Sequence, residues 1–124
     1  MNVVDSSGWL EYLADGPLAA SFAEPLGDPA QLVVPSVSLY EVFKRVLQQR
    51  GEGDALQAIA VMLQGEVVDL DADLAMDAAR LSLELRMPMA DSIILATASA
   101  VDATLWTQDV HFRDVPNVRY IASA

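Results

Sequence analysis

Short apolar runs, each too brief for a helix, are followed along this chain by stretches with helical periodicity. Val3-Val4, Leu32-Val33-Val34, Glu66-Val67-Val68, Thr104-Leu105-Trp106-Thr107 and Val118-Arg119-Tyr120-Ile121 read as five strands. Parallel neighbours need a long crossover between them, and a helix supplies one. The alternation therefore predicts an α/β protein with a mostly parallel sheet. With 124 residues and no linker or low-complexity tract, residues 1–124 form one expected domain, large enough to bury its own core.

The helical segments have legible ends. Asp5-Ser6-Ser7-Gly8 leads into a first helix through Leu13, closed by Gly16-Pro17. A second spans Leu18 to about Glu24, with Pro25 and Gly27 as its stop, and Pro35 ends the second strand. From Val37 to Arg50, Leu39, Val42, Phe43, Val46 and Leu47 share one face, while Glu41, Lys44, Arg45 and Gln48 share the other. Gly51 and Gly53 break that helix, and Asp54 is a cap for the next, through Leu63. Asp71 or Asp73 starts a helix striped by Leu74, Ala78, Leu81 and Leu85, which Pro88 stops. Ser92 to Val101 carries no charge, which predicts a helix buried on most sides.

Composition removes whole classes of chemistry. Without cysteine there are no disulfides, thiolate–zinc sites, iron–sulfur clusters or thiol nucleophiles. Seven Lys+Arg against 18 Asp+Glu give a formal charge of −11, which argues against nucleic-acid binding through a broad basic face. The longest charge-free run, residues 29–40, contains two prolines, and a membrane-spanning helix needs about 20 apolar residues. No basic segment precedes the first apolar run, and Asp5 interrupts it, so the expected location is the cytoplasm, away from membranes.

In an open parallel sheet, ligands bind beyond the carboxyl ends of the strands, where the following helices begin. Asp5 directly follows the first strand, Glu41 sits early in the helix after the second, Asp91 opens the uncharged helix, and Asp109 follows the fourth strand. Four carboxylates from four segments would converge on one edge. Packed closely they repel one another, and a divalent cation relieves that repulsion. Hard oxygen ligands suit Mg²⁺ or Mn²⁺, and such an ion can activate water and hold a phosphate oxygen. Metal-assisted phosphodiester hydrolysis is the reaction these parts fit.

Val3-Val4-Asp5-Ser6-Ser7, Glu41, Met89-Ala90-Asp91-Ser92-Ile93-Ile94-Leu95-Ala96-Thr97-Ala98 and Thr107-Gln108-Asp109-Val110-His111-Phe112 together resemble the PIN-domain ribonucleases. Within them they resemble the VapC toxins of bacterial toxin–antitoxin pairs. The resemblance covers essentially the whole chain. It implies a three-layer αβα domain with a five-stranded parallel sheet, Mg²⁺ or Mn²⁺ dependence, and cleavage of single-stranded or structured RNA. It also implies a homodimer and a cognate VapB-type antitoxin that occludes the active site. Asp5, Glu41, Asp91 and Asp109 match the acidic metal and catalytic positions, Ser6 and Thr107 the auxiliary hydroxyl positions.

Each residue also has a structural reading. Asp5 can cap a helix, and Ser38-Leu39-Tyr40-Glu41 has the capping-box spacing, with Lys44 or Arg45 as ion-pair partners for Glu41. Asp91 can cap the buried helix; Asp109 can be a turn residue, with Asp114 a rival for its role. Asp69, Asp71 and Asp73 lack the glycine and glutamate of a calcium loop and read as helix-start acids. His111 reads as a surface or RNA-contacting residue, or a proton shuttle, and Trp9, Tyr12, Tyr40 and Trp106 as core or dimer-interface residues. Four of the 18 acids are the proposed ligands, while Lys44, Arg45, Arg50 and Arg113 lie near them in sequence. That predicts a basic rim beside an acidic pocket, with Lys44, Arg45 and Arg113 as RNA contacts. A basic antitoxin side chain entering the pocket would neutralise it. Two other classes compete: a catalytically inactive PIN scaffold that binds RNA or protein, and a phospho-acceptor receiver domain. The latter needs a late lysine, and the sole lysine is Lys44.

Overall fold

The computed structural model describes residues 1–122. The strands β1 (Asn2–Val4), β2 (Val33–Pro35), β3 (Glu66–Val68), β4 (Thr104–Thr107) and β5 (Val118–Tyr120) fall where the apolar runs predict. The helices are α1 (Ser6–Leu13), α2 (Ala19–Leu26), α3 (Ser36–Arg50), α4 (Glu52–Met62), α5 (Ala72–Leu85) and α6 (Met89–Ala100). Single 3₁₀ turns occupy Pro29–Gln31 and Val110–Phe112.

All ladders are parallel: β1 pairs with β4, β4 with β5, and β2 with β3. The expected five-stranded sheet is not continuous. Three strands, ordered β1-β4-β5, form one sheet, and β2-β3 form another, joined to it by a single parallel bridge between Asn2 and Leu32. The strands are only three or four residues long, so a slight divergence of β2 from β1 leaves a single bridging pair. From β1 the chain moves to β2 and β3 on one side, and later to β4 and β5 on the other. The gap beyond the ends of β1 and β4 is thus a topological switch point, where open α/β folds bind ligands.

Residues alternate across each strand, and both faces are covered. Val4, Val34 and Trp106 face a cluster with Trp9 of α1, Phe22 of α2, Val42 and Val46 of α3, and Ala55, Ala58 and Met62 of α4. Val3, Val33 and Leu105 face Ile94, Leu95 and Ala98 of α6, with Phe112. Helix α5 packs behind α6 through Leu74 and Ala78 against Ile93 and Ala96. That gives the three layers expected. The uncharged α6 stretch is buried from Ser92 to Ala98, as its composition predicts.

Several helix ends differ from expectation. Pro25 does not close α2: it is buried inside the helix, which continues through Leu26 to Gly27. A proline in the last turn of an eight-residue helix removes a single intrahelical hydrogen bond, and its burial offsets that loss. Asp54 lies in the first turn of α4 instead of capping it, and Asp71, not Asp73, caps α5 by accepting from Leu74 N at 2.8 Å. Leu85 ends α5 largely exposed, so the buried stripe stops a turn earlier, and Arg86 in the left-handed conformation terminates the helix before Pro88. Trp9 and Trp106 are core residues, whereas Tyr12 and Tyr40 are exposed. Among the described residues, no helix is long and apolar enough to cross a membrane.

Candidate active site

Asp5 leaves β1 at the switch point. Its backbone N–H donates to Trp106 O at 3.1 Å, which extends the β1–β4 ladder and points the side chain beyond the sheet edge. The structural and the chemical readings of Asp5 both hold. Its carboxylate caps α1, accepting from Gly8 N at 2.9 Å, and its residue is 98% buried, with 2% exposure. It also accepts from Ser7 Oγ, at 2.9 Å to each oxygen, and from Thr107 Oγ1 at 2.7 Å. Gly8 permits this approach. A methyl group there would stand 2.7 Å from Val4 Cγ1 and from the Phe22 ring, so only glycine lets α1 begin this close to β1.

Burial outweighs those hydrogen bonds. Desolvation pushes the Asp5 carboxyl up to about 6, against the lowering effect of Thr107, Gly8 and Ser7, with a further rise from the charge of Asp109. The hydroxyl of Thr107 serves twice: it donates to Asp5 and accepts from Asp109 N at 2.9 Å. That second bond fixes the turn after β4, in which Asp109 caps the 3₁₀ helix by accepting from His111 N at 2.9 Å.

Glu41 lies in the second turn of α3, because the helix starts at Ser36 and not at Ser38. The capping box is therefore absent; Ser38 is wholly buried with its Oγ unpartnered. Neither Lys44 nor Arg45 pairs with Glu41 among the described residues. Instead Glu41 Oε1 accepts from Ser6 Oγ at 2.6 Å, which ties α3 to the start of α1 beside Asp5. Lys44 lies over the Tyr40 ring, 5.5 Å from its centre.

Asp91 sits in the first turn of α6, which Pro88 and not Asp91 caps. Its carboxylate, not engaged in capping, lies within range of the charges of Asp109 and Glu41. Burial raises its pKa, the charges of Asp109 and Glu41 raise it further, and the hydrogen bond from His111 opposes the rise. His111 is exposed, as expected of a surface residue, but its Nδ1 also lies 2.8 Å from Asp91 Oδ2 and 3.0 Å from Asp109 Oδ1, so it bridges two of the acids. The charge of Asp109 foremost, and the bond to Asp91, raise its pKa. Asp114 is exposed and lies outside this network, as is Arg113.

Asp109 lies within range of the charges of Asp5 and Asp91, and Glu41 within range of Asp91; Asp5 and Glu41 stand outside the tightest group. Asp91, Asp109 and His111 place one ligating atom each within 4.8 Å of one another, a group that could hold a metal ion. The donor set, carboxylate oxygens with one imidazole nitrogen and no sulfur, suits a hard or borderline divalent cation. Ser7 and His111 are the contributors least visible beforehand. The signal for each was its place two residues after an acid that caps a helix.

Beside this edge runs a cleft of about 580 Å³ between α1, α3 and α4. Ser7 and Gln108 line its end near the acids, and Arg45 and Arg50 line it farther along. Neither arginine has an ion-pair partner among the described residues, whereas Arg80 pairs with Asp77 and Arg119 stacks on Trp106.

No curated protein matches this chain. It is similar in fold to a toxin–antitoxin complex from Klebsiella pneumoniae, with a TM-score of 0.80 and 21% identity, over 98% of this chain and 100% of that one. It is similar to Mycobacterium tuberculosis VapC20, a Sarcin-Ricin loop cleaving toxin, with a TM-score of 0.77 and 16% identity, over 99% and 98%. A third such structure is VapBC2 from Rickettsia felis bound to a promoter DNA fragment, with a TM-score of 0.74 and 19% identity, over 98% and 97%. The PIN domain pattern matches residues 3–118, so the chain belongs to the PIN-domain family.

Proposed function

We propose that this chain is a metal-dependent endoribonuclease and the toxin of a VapBC-type pair, with Asp5, Glu41, Asp91 and Asp109 as its acidic centre. One observation carries the reading: acids from four separate segments meet at the switch point, and burial together with mutual charge raises the pKa of two of them. The capping bonds of Asp5 and Asp109 do not offset the burial and mutual repulsion of these charges, which a bound cation would relieve.

Asp91 and Asp109 would hold Mg²⁺ or Mn²⁺ directly, with Asp5 and Glu41 completing the negative field. Bound there, the cation would supply Lewis-acid polarisation of a scissile phosphate and a more acidic water. The protein's own part is positional. Ser7 and Thr107 orient Asp5, Ser6 orients Glu41, and Thr107 fixes the turn that presents Asp109. The test is cleavage of a short single-stranded RNA with Mn²⁺ or Mg²⁺. Asp91→Asn and a chelator should each abolish cleavage while the fold persists by circular dichroism. Full-rate cleavage by Asp91→Asn, or in the presence of chelator, would refute the reading.

The cleft supports a path for the RNA strand. A chain of charge −11 repels a polyanion at long range, yet Arg45 and Arg50, without ion-pair partners among the described residues, line the groove beside Glu11 and Asp54. On single strands each phosphate contact contributes about 0.7 to the slope of log affinity against log salt. Arg45→Gln with Arg50→Gln should therefore weaken RNA binding and flatten that slope by roughly 1.4, with the metal-bound rate at saturation unchanged. Lys44 and Arg113, both exposed, are outer contacts in the same proposal. The partners are a VapB-type antitoxin and a second copy of the chain. The similar toxin–antitoxin complexes support the antitoxin, and exposed Leu83 and Met89 support a covered surface.

A further inference from the structure

We infer that His111 is itself a ligand of the cation, so that the centre is a site of two carboxylates and one imidazole that prefers Mn²⁺ to Mg²⁺. The inference rests on the acidic centre proposed above and adds to it a residue outside the acid set. Three observations carry it. First, Nδ1 is 2.8 Å from Asp91 Oδ2 and 3.0 Å from Asp109 Oδ1. Neighbouring ligands of an octahedral ion with bonds of about 2.1 Å stand roughly 3 Å apart. Nδ1 thus already stands from each carboxylate oxygen at the spacing of adjacent coordination positions, the whole group lies within 4.8 Å, and a cation would take the place of the shared proton.

Second, the ring is held there by the backbone. The 3₁₀ turn Val110–Phe112 is capped by Asp109, whose Oδ1 accepts from the backbone N–H of His111 itself. Phe112, wholly buried, anchors the turn in the core, while Val110 faces outward. With the turn fixed at both sides, the imidazole is directed back at Asp91, although half of its side chain remains exposed. A surface histidine meant only for solvent has no need of that anchoring.

Third, the ligand chemistry discriminates between ions. Mg²⁺ favours oxygen ligands and keeps its waters, whereas Mn²⁺, equally at home with carboxylates, is a transition ion that accepts an imidazole nitrogen more readily than Mg²⁺ does. Coordination through Nδ1 leaves the ring proton on Nε2.

His111 is the single histidine of the chain, so an imidazole nitrogen signal has one source. Metal-freed protein is titrated with Mn²⁺, and electron spin-echo modulation is recorded on the bound ion. The expected result is ¹⁴N modulation in the native protein that disappears in His111→Gln. Mn²⁺ affinity should fall by about tenfold or more, at least what an outer ligand partner costs when removed. Mg²⁺ affinity should change far less. Mn²⁺ bound without ¹⁴N modulation, or with unchanged affinity in His111→Gln, would overturn the inference while leaving the acidic centre standing. Failure of the native protein to bind Mn²⁺ would overturn both.

Discussion

Asp5→Asn will lower RNA cleavage by about a thousandfold and, at pH 8, raise the melting temperature of the metal-free protein. The two effects have opposite signs because they arise from one charge. A catalytic cation contributes several kcal/mol of charge stabilisation in the transition state, and each ~1.4 kcal/mol is a factor of ten in rate. Asparagine keeps the shape and the bond from Gly8 N but not the charge that holds the ion in this field. For stability, the carboxyl titrates at about 6 in the fold against 3.8 in water, so ionising it in place costs about 3 kcal/mol at about 1.4 kcal/mol per unit. Asparagine removes that cost. It returns part of it, because its NH₂ faces hydroxyls of Ser7 and Thr107 that now donate to Asp5. The net gain should be about 1–2 kcal/mol, or roughly 5 °C for a domain of this size. At pH 4.5 Asp5 is already neutral in the fold, and the advantage should vanish. Thermal melts of both proteins with chelator, at the two pH values, check this; a destabilised Asp5→Asn at pH 8 would show that the hydrogen bonds outweigh the buried charge.

The conflict at Asp5 also explains how much of the site the sequence disclosed. An acid placed straight after a buried strand is visible in one dimension, because Val3-Val4 must be a strand and the next residue must leave it. Asp109 was legible in the same way, directly after β4; Glu41 lies in the second turn of the helix after β2, and Asp91 opens the uncharged helix α6 that follows α5. Their convergence depends on the switch between β1 and β4, which short parallel strands and their crossovers determine. What the sequence concealed is side-chain direction over a few residues. The spacing from Ser38 to Glu41 mimics a capping box, yet α3 begins two residues earlier, at Ser36, and Glu41 turns to Ser6 on α1, a residue 35 positions away. His111 is a surface residue as read, but its contact with Asp91 and Asp109 was hidden, because its orientation is set by a 3₁₀ turn whose existence depends on the cap at Asp109. The break in the sheet was equally hidden. Each strand has the right composition, but whether β1 and β2 share one bridge or a full ladder depends on twist and on how α3 packs, not on the apolar pattern.

The metal-free protein should lose stability as pH rises from about 4 to about 7, and a bound divalent cation should reverse that trend. Asp5 supplies the largest part. Between 3.8 and about 6 the unfolded chain has released its proton while the fold still holds it, so this stabilisation is complete below pH 4 and gone above 6. Asp91, also raised, acts in the same direction. So does His111: the fold favours its protonated form, an advantage present below pH 6.5 and lost as pH climbs through its raised value. A cation requires the deprotonated ligands, so its binding strengthens over the same range. At a hundred times its Kd it adds about 2.7 kcal/mol, enough to offset most of what Asp5 loses. Melting curves from pH 4.5 to 8, with chelator and with Mn²⁺, should coincide at the acid end and separate by roughly 10 °C at pH 8. A separation of equal size at pH 4.5 would mean that the ion binds away from Asp5, Asp91 and Asp109. Metal-free protein that gains stability up to pH 8 would mean that the charges at this edge do not govern the fold, and the cation would then have no repulsion to relieve.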